Sequence, residues 1–164
     1  MVVFWDIDGV LRDLVKGLGI EFQMSWEDNK IVENVEDDFS VLVNSPALPY
    51  LDVLLDFLSK EPSNLEHIIL SANPESWRKY TNQWLDEHGL KNVKRIFTDT
   101  LEEKLDYLGA PDVVLIDDYP YFVDYGNILL IDHSYNKSAR PLVRIESPLE
   151  LEIYLLILDK IGGR

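Results

Sequence analysis

Acidic side chains occur in pairs at two points where an apolar run of the sequence ends. Asp6 and Asp8 follow the run Val2–Trp5, and Asp117 and Asp118 follow a second run that ends at Ile116. A single Asp after a strand is usually a turn or cap residue. Two carboxylates 4 Å apart near a surface, however, repel each other by about 1–4 kcal/mol, and a bound dication relieves that repulsion. Because Mg²⁺ prefers carboxylate and carbonyl oxygens with water and phosphate, the two pairs indicate a magnesium site.

A hydroxyl and an ammonium group occupy comparable places. Ser71 follows the apolar run that ends at Leu70, and Lys104 falls on a short predicted helix between the third and fourth strands. A hydroxyl can bond a phosphoryl oxygen, and a fixed positive charge stabilises the same group. The alternatives are ordinary ones: Ser71 as a helix or turn cap and Lys104 on a solvated helix face.

The Asp-x-Asp-Gly pattern also occurs in calcium-binding loops, but the register does not fit here. A loop with Gly9 at its sixth position would begin at Phe4 and end at Val15. Such a loop needs an acid at its start and a Glu at its end. The sequence therefore argues against an EF-hand.

The elements that must position these residues alternate between strand and helix along the whole chain. This alternation predicts an α/β fold, a Rossmann-like parallel sheet with helices on both faces. Ligands of open parallel sheets lie beyond the carboxyl ends of the strands, which is where the acids, Ser71 and Ala72 fall. The predicted strands cover residues 2–5, 65–70, 93–97, 112–116 and 128–131.

Helix signals complete the prediction. Asn73 is expected as the N-cap and Pro74 as the first residue of a helix that stops at Gly89. Ser147 and Pro148 are expected to open a final helix. We expect a single domain over 1–164, with a short helical cap insertion at about 16–45 that contains an acid-rich stretch.

Composition limits the function classes. The net charge is −15, which disfavours binding to a nucleic-acid backbone. No apolar run reaches the roughly 18 residues of a membrane span. The chain has no cysteine, so disulfides and thiolate metal sites are excluded and a cytoplasmic location is expected.

These motifs resemble those of the haloacid dehalogenase superfamily. The segment Asp6–Leu11 (Asp-Ile-Asp-Gly-Val-Leu) resembles its first motif, Ile68–Ser71 its second and Leu115–Asp118 its fourth, with Lys104 as the candidate for the third. The resemblance implies a magnesium-dependent phosphohydrolase with a haloacid dehalogenase-like fold.

Within the superfamily, the sequence is most similar to the 5′(3′)-deoxyribonucleotidases. The similarity comes from Asp13 soon after the first motif, Leu115–Pro120, and Ile128–Asn136. Two features depart from that group: Tyr119 stands where Arg is frequent, and the insertion is shorter than the group's helical cap. The resemblance implies a nucleoside monophosphate as substrate.

The resemblance also implies a role for each site residue. Mg²⁺ would be bound by the Asp6 carboxylate, the Asp8 backbone carbonyl and the Asp118 carboxylate. Asp6 would be the nucleophile that forms an aspartyl-phosphate, and Asp8 the general acid and base. Ser71, Ala72 and Lys104 would contact the phosphate. Asp117 would either ligate through water or hold Lys104.

Substrate specificity is expected from the insertion. Phe39, together with Phe22 and Trp26, could supply an aromatic surface for a base, or could pack the insertion onto the sheet. The expected partner is a small phosphorylated metabolite, with a homodimer as a compatible assembly. The alternatives are another small phosphometabolite, a nucleic-acid 3′ end, and a non-catalytic phosphate-binding protein.

Overall fold

The computed structural model describes most of the chain. Residues 20–34, which include Phe22 and Trp26 and much of the predicted insertion, lie outside the described residues. The described ranges are 1–19, 35–36, 38–60, 63–122, 124–125 and 127–162.

Six strands form one parallel sheet, which confirms the predicted fold class. Their spatial order is β3-β2-β1-β4-β5-β6, so the strand that precedes Asp6 lies in the middle. The sequence prediction missed β6, which has only three residues and follows a proline-containing loop. The strands are β1 (Val2–Trp5), β2 (Glu66–Ala72), β3 (Lys94–Thr98), β4 (Val113–Asp117), β5 (Ile128–Ile131) and β6 (Val143–Ile145).

Helices connect the strands. Among the described residues, none of the helices is both long and apolar enough to cross a lipid bilayer. Two short 3₁₀ helices, Pro120–Phe122 and Ser134–Asn136, follow β4 and β5. The α-helices are α1 (Leu14–Leu18), α2 (Ser40–Asn44), α3 (Tyr50–Ser59), α4 (Glu75–Glu87), α5 (Leu101–Leu105) and α6 (Pro148–Gly162).

The two faces of the sheet bury different apolar groups. Side chains alternate across a strand, so Val3 and Trp5 of β1 point to one face and Phe4 to the other. The first face packs against α3, α4 and α6. The second packs against residues of α5 and the 3₁₀ helix after β4. Helices therefore cover both faces, as predicted.

The start of α4 differs from the prediction by one position. Pro74, with ψ of 149°, is the N-cap, and the helix begins at Glu75. Asn73 is not the cap because its backbone N–H donates to the Thr98 carbonyl at 2.8 Å, which continues the β2–β3 ladder. At the other end, Gly89 has φ of +84°, as expected of a residue that terminates a helix.

Candidate active site

Strand register brings the two acidic pairs together. Trp5 of β1 lies opposite Ile116 of β4, and the Asp6 backbone N–H donates to the Ile116 carbonyl at 3.0 Å. Because the strands are parallel, the acids that follow them leave the sheet at the same edge. Carboxylate oxygens of Asp6, Asp117 and Asp118 lie within 4.8 Å of one another, and all three residues are buried.

Lys104 reaches this cluster from α5. Its Nζ donates to Asp117 Oδ2 at 2.5 Å and lies 3.0 Å from Asp6 Oδ1. The Lys104 side chain is 1 % exposed, so the solvated-face alternative is wrong for this residue. Burial alone would lower the Lys104 pKa, but the carboxylates of Asp117 and Asp6 outweigh it and raise the pKa. Of the two alternatives for Asp117, the structure has the one in which it holds Lys104.

The cluster carries more negative than positive charge. Burial raises the pKa of Asp6 to about 7; Lys104 opposes this shift, whereas Asp117 and Asp8 add to it. Burial, followed by the charges of Asp117 and Asp6, also raises the pKa of Asp118 well above its usual value. A cation in addition to Lys104 would therefore stabilise the ionised form of these carboxyl groups.

The donor set fits a magnesium ion. Asp6 Oδ1 is buried and accepts no aligned hydrogen bond from the described residues, although Lys104 is near it. Asp117, in contrast, accepts both from Lys104 and from the Tyr119 backbone N–H at 2.8 Å. Asp6 and Asp118 are therefore better candidates for direct ligands than Asp117. The Asp8 carbonyl stays a prediction.

Asp118 lies in a close-fitting cradle. Gly9 has φ of +80°, and a Cβ at this position would lie 2.1 Å from Asp118 Oδ2. The Tyr135 hydroxyl donates to Asp118 Oδ2, and Asn136 Nδ2 donates to the Asp118 carbonyl at 2.9 Å. His133 Nε2 lies 2.6 Å from the Gly9 carbonyl. The loop after β5 thus fixes Asp118 and Gly9 together, a function that the sequence did not reveal.

Asp8 is held by a residue that the sequence reasoning missed. Arg12 Nε donates to Asp8 Oδ1 at 2.7 Å, and Arg12 Nη2 donates to Asp8 Oδ2 at 2.9 Å. The only signal in the sequence is the i, i+4 spacing of these two residues, which is common on surfaces. Here the Arg12 side chain is fully buried.

A cavity of about 320 Å³ opens beside the carboxylates. Asp6, Asp8 and Asp118 line its charged side. Ser71 and Ala72 also line it; they are part of β2, so Ser71 does not cap α4. The structure therefore brings Asp6, Asp8, Asp118, Ser71 and Lys104 to one place, with Ala72 at the wall.

The cavity lining also contains apolar residues. Among them are Leu14, Val15, Pro74 and Trp77. Phe39, the aromatic residue that the sequence suggested for this surface, is not among the lining residues. Its ring instead stacks on Tyr80, with centroids 5.2 Å apart, and belongs to the cluster that packs α2 against α4.

Comparisons with known proteins identify the fold. A protein from Thermotoga maritima provisionally named a β-phosphoglucomutase matches with a TM-score of 0.60 and 15% identity, over 95% of this chain and 98% of that one. A provisionally named haloacid dehalogenase-like hydrolase from Burkholderia xenovorans matches with a TM-score of 0.59 and 14% identity, over 96% and 97%. A family IA, variant 3 HAD hydrolase from Entamoeba histolytica matches with a TM-score of 0.58 and 12% identity, over 99% of each chain.

The sequence itself gives no such match. No family model matches this chain, and no curated protein matches it. The structural similarity shows that the chain has the fold of haloacid dehalogenase-like hydrolases. None of the three names specifies a nucleotidase.

Proposed function

We propose that this chain is a magnesium-dependent phosphomonoester hydrolase with Asp6 as its nucleophile. The observation that carries this proposal is the buried Asp6 carboxylate, which shares Lys104 with Asp117, lies beside Asp118 and faces the cavity. A nucleophilic carboxylate, a fixed ammonium and a divalent-cation site are what attack on a phosphate monoester requires.

The carboxylates of Asp6 and Asp118 and the backbone carbonyl of Asp8 would hold Mg²⁺. When bound, the ion neutralises charge on the phosphate and on the attacking carboxylate, which otherwise repel each other. The Asp6 oxygen that pairs with Lys104 but accepts no aligned hydrogen bond, and the raised pKa values of Asp6 and Asp118, favour such an ion.

In the first step, an Asp6 carboxylate oxygen attacks phosphorus and forms an aspartyl-phosphate. The bond between phosphorus and the ester oxygen breaks, and Asp8 donates its proton to the departing oxygen, which leaves as an alcohol. Lys104 stabilises charge near the attacked group from its place between Asp6 and Asp117. Ser71, which lines the cavity, would donate to a phosphoryl oxygen.

In the second step, a water molecule attacks the phosphorus of the aspartyl-phosphate. Asp8 now takes a proton from that water, and the bond between phosphorus and the Asp6 oxygen breaks. Inorganic phosphate is released, Asp6 is regenerated as a carboxylate, and Asp8 is protonated for the next cycle.

A small phosphometabolite is the proposed substrate class, with a nucleoside monophosphate as the first choice. The cavity volume is at the lower end of the range for small-molecule sites. The apolar wall around Trp77 offers a surface for a base. The net charge of −15 disfavours a nucleic-acid end as substrate.

Phosphate release with Mg²⁺ tests the proposal, using nucleoside monophosphates, sugar phosphates and a 3′-phosphorylated oligonucleotide. We expect release from a small substrate that is abolished by EDTA. Borohydride trapping during turnover should convert Asp6 to homoserine, detected by mass spectrometry. Folded protein that releases phosphate from none of these compounds would refute the proposal, and tight phosphate binding without turnover would favour the non-catalytic alternative.

A further inference from the structure

The Arg12 guanidinium joins Asp8 to two elements outside the sheet edge. Besides its two bonds to Asp8, Arg12 Nη1 donates to the Leu42 carbonyl of α2 at 2.7 Å. Nη1 and Nη2 also contact the Thr81 hydroxyl of α4 at 3.5 and 3.4 Å. Arg12 and Thr81 are fully buried. One side chain thus connects the Asp8 carboxylate to the predicted insertion and to the helix after β2.

This contact fixes both the plane and the direction of the Asp8 carboxylate. A guanidinium that bonds both oxygens leaves a carboxylate less rotational freedom than a single donor would. An acid-base group works only within hydrogen-bond reach of the proton that it transfers. Small displacements of such a group reduce rates strongly.

We infer that Arg12 is a positioning residue, which aims Asp8 at the departing oxygen and at the attacking water. Through its bond to the Leu42 carbonyl, Arg12 also makes the orientation of Asp8 depend on the position of α2. The inference rests on the proposed function, because it assigns Arg12 a role in the chemistry of Asp8.

Arg12→Gln tests the inference through its dependence on the leaving group. The value of kcat/KM reports the first step, in which Asp8 protonates the departing oxygen. We expect a fall of about 10- to 100-fold for alkyl phosphates such as nucleoside monophosphates, and of less than about threefold for p-nitrophenyl phosphate, which needs little protonation. General damage to the fold would reduce both substrates alike and would overturn the inference.

A double-mutant cycle with Asp8→Asn tests whether Arg12 acts through Asp8. If it does, the pair Asp8→Asn and Arg12→Gln is no slower than Asp8→Asn alone. Additive losses would contradict the inference.

Two further variants separate positioning from stability. Arg12→Lys keeps the buried charge but cannot bond both oxygens, so the leaving-group dependence should persist in a folded protein. Arg95→Lys, at a partly buried arginine that pairs with Asp86 and does not line the cavity, is the control and should leave kcat/KM unchanged. An inactive wild type would refute the proposed function, whereas an active wild type with indifferent Arg12 variants would refute only this inference.

A second inference comes from α6, whose outer face is apolar. Leu149 is 64 % exposed, Ile153 47 %, Ile157 49 % and Ile161 53 %. Their four-residue spacing forms a ridge of the kind that packs most often between helices. The buried residues of this helix, Leu151 and Leu155, lie on the other side.

The exposed face is complementary to itself. In an antiparallel pair centred on Leu155, Leu149 lies opposite Ile161, and Ile153 opposite Ile157. The same pairing places Glu150 of one helix opposite Lys160 of the other, and both residues are exposed. In this antiparallel arrangement, apolar residues face apolar residues and opposite charges face each other, as a two-fold symmetric interface requires.

We propose that this face of α6 binds a second copy of the chain. Sedimentation equilibrium should show a dimer for the wild type and a monomer for Ile157→Glu, with Tyr121→Glu, 69 % exposed in the native chain, as the control that stays dimeric. Glu150→Lys or Lys160→Glu alone should raise the dimer Kd about tenfold, and the two together should restore it. A monomeric wild type, a dimeric Ile157→Glu, or a double variant as weak as either single one would overturn the proposal.

Discussion

Two buried polar clusters lie along β1, and they differ in charge. At its carboxyl end, Asp6 is grouped with Asp117, Asp118 and Lys104. Within the sheet, the Trp5 indole N–H donates to His67 Nδ1 at 3.0 Å. Burial lowers the His67 pKa to about 4, with Asp159 opposing the shift, so this second cluster is neutral near pH 7.

The difference teaches where this fold accepts buried charge. The Trp5–His67 cluster satisfies a donor inside the core, and it contributes to stability as a neutral pair. The carboxylate cluster has a surplus of negative charge that destabilises the protein until a ligand compensates it. We therefore expect changes in the first cluster to affect stability alone, and changes in the second to affect both activity and stability.

The largest effect is expected for Asp6→Asn. The variant loses the nucleophile, so activity should fall more than about a thousandfold. It also loses a carboxyl whose pKa is raised on folding, and such a group destabilises the protein when it is ionised above pH 7. With EDTA present at pH 8, we expect the free energy of unfolding to rise by on the order of 2–4 kcal/mol.

Denaturant titration and phosphate release measure both effects of this change. Asp52→Asn, at an exposed position on α3, is the control and should change neither. A less stable Asp6→Asn protein would contradict the assignment of surplus charge to this cluster.

Lys104→Met should damage both properties. It removes the cation between Asp6 and Asp117, so activity should fall about 100- to 1000-fold. The uncompensated carboxylates should reduce the free energy of unfolding by about 3–5 kcal/mol. Lys94→Met removes an exposed ion pair with Glu66 and should have little effect on either measurement. Equal losses of activity and stability in the two lysine variants would contradict the assignment of surplus negative charge to the carboxylate cluster.

The His67 cluster should show its effect as pH falls. The folded-state pKa of about 4 is below the unfolded value of 6.5, so the unfolded chain binds the extra proton first. The contribution of His67 to the free energy of unfolding is complete above pH 6.5. Up to about 3 kcal/mol of it is lost as the pH falls from 6.5 to 4.

The variant His67→Gln keeps an acceptor for Trp5 and cannot titrate. The difference in unfolding free energy between wild type and His67→Gln should therefore depend on pH over this range, while their activities at pH 7 agree; a constant difference would contradict the assignment.

Magnesium should stabilise the folded protein through the carboxylate cluster and not through the His67 cluster. At 100 times its Kd, the ion should raise the free energy of unfolding by about 2.7 kcal/mol. Thermal unfolding with and without Mg²⁺ measures this, and Asp118→Asn should abolish the gain while His67→Gln retains it. A gain that survives in Asp118→Asn would place the ion elsewhere.

The strands and the acidic residues that follow them could be predicted together, because an apolar run followed by an Asp indicates both. Val2–Trp5 is an apolar run followed by Asp6, and the same residue type that stops the strand carries the proposed chemistry. Ser71 and Asp118 were found by the same reasoning. The strand β6 was missed because three residues give no periodicity, and Asn73 was misplaced because its backbone bonds to Thr98 across the sheet.

The contacts that orient the site could not be predicted in this way. Arg12 bonds Leu42 and Thr81, and Tyr135 bonds Asp118, across long sequence separations. Neither residue type nor local spacing specifies such partners, because they are chosen only when α2, α4 and the loop after β5 have packed. The apolar cavity wall was likewise assigned to Phe39, whereas Trp77 lines it.

The central place of β1 has a consequence for how the chain folds as it is made. Val2 pairs with Glu66 on one side and with Val113 on the other, so β1 is synthesised long before both neighbours exist. At 5–20 residues per second, the ribosome needs roughly 5–20 s to reach Val113. Until then, an apolar strand has at least one free edge exposed to solvent, and pairings so distant in sequence form slowly. Asp6, the proposed nucleophile, is thus synthesised well before Asp117 and Asp118, and its surroundings are complete only after β4 has joined the sheet.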